Sequence, residues 1–498
     1  MAPATPFALL TLLAATALGN DAPTDPAVPA PQPEPATPVA EAPRQPSAAT
    51  PVLVGPWQRF QEQREAEYAA AIEASAQGSG RAGAPYDFEM GKGWELELGG
   101  QIRVRGAAEK NKTFGARTPD GNTYGLSRIL AHAEVRHESG WRAHFEGIDA
   151  RIYGNEYPPL GTDRNTADIR NLYVGFDNER TSARVGRTDL KYGAQRLISP
   201  LDWSNTRRTF EGGVVSQRLG EDNSAKIDAF ITRPVVVDDR DPDRSDHSRW
   251  FSGLYSTFDV SEETGIDVYG LALNEETKGK AIDSSGRPGT FDVYTVGFRA
   301  AHDNGAFDAE LEAAHQFGRS SGDNIRAGMF AASTGYTFNE TTFTPRFGFD
   351  VDWASGDDDP TDSTNETFNQ LFPLGHAWLG RLDLVGRQNI IAYNANMTLD
   401  LDEKTQLWIA FHDFSLEEKQ DSLYNAGGAA TLTDPTGVAG SDVGQEWDIT
   451  VGRKLDDWLG FIDHVLIGYS YFSADRFIQS QASNSPTTLG YLQLTSNF

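Results

Sequence analysis

From Tyr86 onward the chain is written at period two. In "GWELELGGQIRVRG" Trp94, Leu96, Leu98, Ile102 and Val104 share one face, and Glu95, Glu97, Gln101, Arg103 and Arg105 share the other. "TFTPRFGFDVDW" sets Phe343, Phe347, Phe349, Val351 and Trp353 against Thr344, Arg346, Asp350 and Asp352. "IAYNANMTLDLD" sets Ile391, Tyr393, Met397, Leu399 and Leu401 against Asn394, Asn396, Thr398, Asp400 and Asp402, and "FDAELEA" sets Phe307, Ala309 and Leu311 against Asp308, Glu310 and Glu312. Such strands meet an apolar medium on one side only. A soluble sandwich or propeller alternates too, so the pattern alone leaves the medium open.

Three features favour lipid. Aromatics gather at strand ends (Trp94, Trp141, Trp250, Trp353, Trp447, Tyr469, Tyr471), as interfacial girdles require. Long polar segments such as "VVDDRDPDRSDHS" and "GDDDPTDSTNETFNQ" alternate with tight links such as "FDVSEETGID" and "DLDEKTQ", the loop asymmetry of a transmembrane barrel. Leu492, Leu494 and Phe498 align in "LGYLQLTSNF", which resembles the signal that such barrels present to the barrel assembly machinery. Mean hydropathy is only -0.48, and the body of the chain has no apolar run of the ~20 residues a spanning helix needs. Barrel strands escape that test, because only alternate residues face lipid. Residues 86–498, at roughly 20 to 25 per strand and loop, make about 16 to 20 strands. The lumen of such a barrel is too wide for its own side chains to fill.

The preceding segment reads differently. Residues 1–20 have the layout of a signal peptide, with an apolar stretch from Phe7 to Leu18 and small residues at Ala15, Ala17 and Gly19, although the n-region lacks Lys and Arg. Residues 21–56 form a Pro/Ala-rich tract expected to be an extended, disordered linker. Residues 57–80 predict a short amphipathic helix with Trp57, Phe60, Tyr68 and Ile72 on one face. The bland expectation is a helix packing on its own barrel. A periplasmic partner for residues 57–80, or a plug role, is the sharper one.

Charge raises a specific question. The chain holds 43 Lys and Arg against 71 Asp and Glu, a net charge of -28, which argues against nucleic-acid partners. Yet "GRTDLKYGAQRLISPLDWSNTRRTF" carries Arg187, Lys191, Arg196, Arg207 and Arg208 against Asp189 and Asp202 alone. This segment, continued through "EGG", resembles the central motif of the alginate-export family of outer-membrane barrels. So does "WASGDDDPTDSTNETFNQLFPLGHAWLGRLDLVGRQN", and "GQEWDITVGRKLDDWLGFIDHVLIGYSYFSADRF" is similar to the family's C-terminal strands.

The resemblance implies an all-β fold, a large antiparallel transmembrane β-barrel of about 18 strands in the cell outer membrane. It also implies a positively charged constriction through which a polyuronate passes with no cofactor. Carried over by motif, Arg187 and Asp202 belong nearest that constriction, with Arg207 and Arg208 following and Arg170 fitting by resemblance. Alternation independently turns Arg103, Arg105, Arg346 and Arg381 inward, and sets Arg136 and Arg142 away from their apolar neighbours. Arg187 shares a face with Ala183 and Val185, so either a bulge resets the register or the residue stands beyond the apolar band. Arg207 and Arg208 are adjacent, so a strand would turn only one of them inward. The resemblance further implies an Arg-x-Arg pair in a strand near the C-terminus, where this chain reads "VLIGYSYF".

Other chemistry is thinly supported. The chain has no Cys, hence no disulfide, thiol chemistry or lipoprotein anchor. His-Glu-x-x-His, Gly-x-Ser-x-Gly and phosphate-loop motifs are all missing, so neither catalytic nor metal residues are assigned. Asp357, Asp358, Asp359 and Asp362 read as a solvated loop, with Ca²⁺ binding as the alternative. The expected function is a passive outer-membrane channel for an anionic polysaccharide or its oligomers. An uptake or general porin for small solutes is the first rival, and a secreted carbohydrate-binding or carbohydrate-cleaving β-protein the second.

Overall fold

The computed structural model describes residues 86–498 apart from 117–119, 221–222, 277–280 and 456–461. The expectations for residues 1–20, 21–56 and 57–80 lie outside the described residues. Eighteen long strands pair antiparallel in chain order. They are β1 (Trp94–Lys110), β2 (Gly121–His137), β3 (Trp141–Tyr153), β4 (Asn165–Asp177), β5 (Thr181–Thr188), β6 (Phe210–Leu219), β7 (Ala225–Val236), β8 (Arg249–Ser261) and β9 (Thr264–Glu275). The second half comprises β10 (Phe291–Asp303), β11 (Phe307–Ser320), β12 (Asp323–Thr337), β13 (Arg346–Ala354), β14 (Ile390–Asp402), β15 (Thr405–Ser415), β16 (Asp442–Lys454), β17 (His464–Ala474) and β18 (Thr487–Asn497). Pairing of β18 with β1, from Gln101↔Asn497 to Lys110↔Thr488, closes the barrel. Closure removes both sheet edges and satisfies the backbone within lipid.

The alternation in the sequence becomes two walls. Ile102, Val104, Ile129, Val174, Phe349 and Ile449 are exposed on the outside, while Arg103, Arg105, Arg128, Glu310 and Asp352 are buried within. Turns such as 262–263 and 403–404 lie at one end, and loops such as 189–209, 237–248, 355–389 and 416–441 at the other. In outer-membrane barrels the short turns face the periplasm.

The largest apolar cluster lies inside the barrel. Leu190, Leu197 and Ile198 of loop 189–209 and Phe368, Phe372, Trp378 and Leu382 of loop 355–389 pack on Phe210, Phe230, Phe251 and Leu271 of the inner wall. The lumen that strand side chains leave unfilled is therefore occupied in part by two long loops. Segment 421–433 adds a small hairpin with Leu423 opposite Leu432.

Candidate functional site: an arginine-held loop across the bore

Loop 189–209 leaves β5 and crosses the lumen. At one place Arg196 reaches Glu310 and Glu312 on β11 and Ser333 on β12, the Glu312 contact being 3.2 Å. Farther along, the carbonyls of Asp202, Trp203 and Ser204 accept from Arg103 and Arg105 on β1 and Arg128 on β2, at 2.7 to 3.4 Å. Those anchors stand on opposite arcs of the barrel, so the loop spans the bore. Three non-glycine residues of the loop, Gln195, Leu201 and Arg207, have φ of 57°, 54° and 61°, a left-handed conformation held by tertiary contacts.

Around the loop tip, charge is concentrated. Asp202 Oδ1 lies 3.1 Å from Arg128 and 3.1 Å from Arg207, and Arg207 also lies 3.6 Å from Asp189. Arg170 bonds Glu146 and grips Asp189 with both Nη atoms, at 2.5 and 2.8 Å. Burial alone would raise the Asp202 carboxyl, but Arg128, Arg207 and Arg103 hold it well below the usual carboxylate range. Arg103, Arg105, Arg128, Arg170 and Arg207 thus face Glu146, Asp189 and Asp202, five cations to three anions.

A stack ties the two loops together. The Arg105 guanidinium lies 3.5 Å over the Trp203 ring, and Trp203 stacks at 3.9 Å on His376 of loop 355–389. His376 Nδ1 faces Asp383 at 3.2 Å. Burial pulls His376 below its ordinary value despite Asp383, so the ring is held neutral. Trp378 Nε1 donates to the Ala194 carbonyl at 3.1 Å, and Phe372 pairs its backbone with Leu197 and Ser199. A group with a depressed imidazole pKa lets the unfolded or undocked chain bind more protons. Loop docking is therefore expected to weaken as pH falls below about 6.5. Channel noise rising at pH 5 in the wild type, and not in His376→Gln, is the measurement that checks this.

The expected site residues distribute unevenly. Arg103, Arg105 and Arg346 are inward and buried, as alternation placed them. Arg346 is spent on Asp308, at 2.7 and 2.8 Å, and on Asn396. Arg136 and Arg142 are inward near the periplasmic end, paired with Glu97 and Glu134 and with Asp177. Arg207, Arg208 and Arg381 lie in loops rather than strands, which removes the one-in, one-out constraint. Arg208 donates to the Ser199 and Pro373 carbonyls, and burial pulls it down to about 10. Arg381 lies 4.4 Å over Trp408 beside Glu446 and Asp448.

Arg187 is the correction. Its register with Leu172 and Glu211 is continuous, and Leu172 and Val185 are 50% and 65% exposed on the outer wall. Arg187 therefore faces outward at the long-loop end, bound to Glu211 and to the Ile169 and Asp243 carbonyls. No bulge in β5 rescues it.

Alternation missed Arg128, because the apolar Leu126 and Leu130 beside it also face inward and are buried. Arg299 was available from the outward run Tyr294, Val296, Phe298. It joins Asp267 and Glu310 at 3.0 and 2.5 Å. Arg196 and Arg387 sit in loops where no period applies.

A closed 18-strand antiparallel barrel with an apolar outer wall and two long loops folded into its lumen defines an outer-membrane channel. The profile of the alginate-export family, "Alginate export", matches residues 94–491, and the chain belongs to that family. Solved barrels share the fold. The outer membrane protein OpdK from Pseudomonas aeruginosa is 12% identical, with a TM-score of 0.57 over 81% of this chain and 98% of its own. OccD3 (OpdP) from Pseudomonas aeruginosa is 10% identical, with a TM-score of 0.55 over 91% and 99%. A BenF-like porin from Pseudomonas fluorescens Pf-5 is 11% identical, with a TM-score of 0.55 over 81% and 98%. No curated protein sequence matches the chain. Family and fold place the protein in the outer membrane and set aside the secreted β-protein reading.

Proposed function

We infer that this channel passes an anionic polysaccharide of the alginate type, a polyuronate, or its oligomers, with lumenal arginines as its selectivity elements. One observation carries the reading: where loop 189–209 crosses the bore, Arg103, Arg105, Arg128, Arg170 and Arg207 outnumber Glu146, Asp189 and Asp202. A chain with net charge -28 keeps its positive excess here. Fixed guanidinium forks match carboxylates, and low-dielectric walls focus their field on a passing polyanion. Arg103 and Arg105 bond to backbone carbonyls and to Gln493 rather than to carboxylates, which leaves their charge uncancelled, so a sugar carboxylate feels it. Weak, repeated contacts of this kind allow release.

The test is current block by added polyuronate in planar bilayers, with neutral dextran as comparison. Block by polyuronate alone, weakened in Arg170→Ala and unchanged in the outward-facing Arg187→Ala, is expected. A large current indifferent to polyuronate would make the protein a general porin.

A further inference from the structure

The acidic run in loop 355–389 divides in two. Asp359 Oδ1 caps Thr361, at 3.1 Å to N and 2.6 Å to Oγ1, and Asp362 caps the Thr364 amide at 2.6 Å. These two carboxylates shape turns. Asp357 and Asp358 instead converge with Glu366, their oxygens all within 4.8 Å of one another. Glu366 is brought there because Thr364 and Asn365 pair with Asn324 and Ile325 of β12.

A second observation points to a ligand. Of the three carboxylates that of Asp357 is buried, and its Oδ1 is closed to solvent with no hydrogen-bond partner. The neighbouring carboxylates only accept, and both are already engaged. Glu417 is used by Trp353 Nε1 and the Gly356 amide, and Asp421 by the Asp357 amide, Thr367, Ser422 and Tyr424. Arg326, on the outward face of β12, engages Glu366 Oε1 and leaves Oε2 for another partner. A buried carboxylate oxygen without a donor, in a side chain that converges with two further carboxylates, is an environment that suits a hard cation.

We propose that Asp357, Asp358 and Glu366 form a calcium site at the outer rim, pinning the start of loop 355–389 to β12. Ca²⁺ with ligands at ~2.4 Å spans oxygens up to ~4.8 Å apart and completes its shell with water, whereas Mg²⁺ demands shorter, octahedral contacts. The site is independent of the cargo of the channel.

The experiment is calorimetric titration of CaCl2 into full-length barrel refolded free of lipopolysaccharide, with folding checked by heat-modifiable migration. One site is expected, with Kd of roughly 10⁻⁴ to 10⁻³ M. Asp357→Asn and Glu366→Gln should each weaken it at least ~10-fold, while Asp359→Asn should bind as wild type. Absence of saturable heat up to millimolar calcium, or unchanged binding in folded Asp357→Asn, would overturn the site. Equal affinity for Mg²⁺ would overturn the choice of calcium.

Discussion

An Arg103→Met, Arg128→Met double variant is expected to pass a larger and flickering single-channel current. Arg103 and Arg128 supply the donors that hold the carbonyls of Asp202 and Ser204 and the Asp202 carboxylate against β1 and β2. A hydrogen bond from a charged donor is worth ~1.5–3 kcal/mol, so even one net loss shifts the docked loop by about tenfold or more. Asp202 would then lose two of its cationic neighbours and carry negative charge into the passage. Anion preference should fall together with the rise in current. Methionine keeps most of the side-chain volume, so collapse of the wall does not confound the result. An unchanged current would mean that the loop is held by its apolar packing, by Arg105 and Arg196 and by its contacts with loop 355–389.

The second large effect concerns stability. Glu310 is buried and accepts from both Arg196, in the loop, and Arg299, on β10. Truncating it in Glu310→Ala leaves two buried guanidinium groups short of an anion, and removing one partner of a buried pair costs about 3–5 kcal/mol. A correspondingly lower denaturant midpoint for the refolded barrel is expected. Combining Glu310→Met with Arg299→Met should recover part of the loss, because it removes one stranded guanidinium while Arg196 keeps Glu312 and Asp267 keeps the Tyr255 hydroxyl. If the double variant is no more stable than Glu310→Ala, the pair is not the source of the effect.

Both predictions rest on residues that were unequally visible in the sequence. Alternation located the barrel wall and turned Arg103, Arg105 and Arg346 inward, because one face of each strand meets lipid and leaves a period-two mark. The same rule failed for Arg381 and for Arg207 and Arg208. These lie in loops whose course is set by tertiary contacts, with Gly380 at φ 85° so close to Glu446 that a Cβ would stand 2.5 Å from its carboxylate. Arg128 was hidden by Leu126 and Leu130, apolar residues that read as lipid-facing and are in fact inward and buried. Arg187 shows the converse. Its motif pointed to the constriction, whereas its parity with Val185 already turned it outward, and the continuous pairing with Leu172 and Glu211 agrees with the parity.

The partners of these arginines could not be read from spacing at all. Arg196 meets Glu310 across 114 positions, and Arg105 meets Trp203 across 98. Such contacts follow from closure of the barrel and from the crossing of loop 189–209, neither of which has a local pattern. Composition, likewise, pointed away from them. An overall charge of -28 says nothing of the local excess of arginine around loop 189–209, since carboxylates such as Glu310, Glu312 and Asp352 also lie inside the barrel.

That local sign is the central claim, and the reversal potential of the reconstituted channel in a KCl gradient reads it directly. An anion-selective potential, moving toward zero in Arg103→Met, Arg128→Met, is the predicted result. A cation-selective potential in the wild type would mean that the lumenal carboxylates outweigh the arginines around loop 189–209, and would contradict the account.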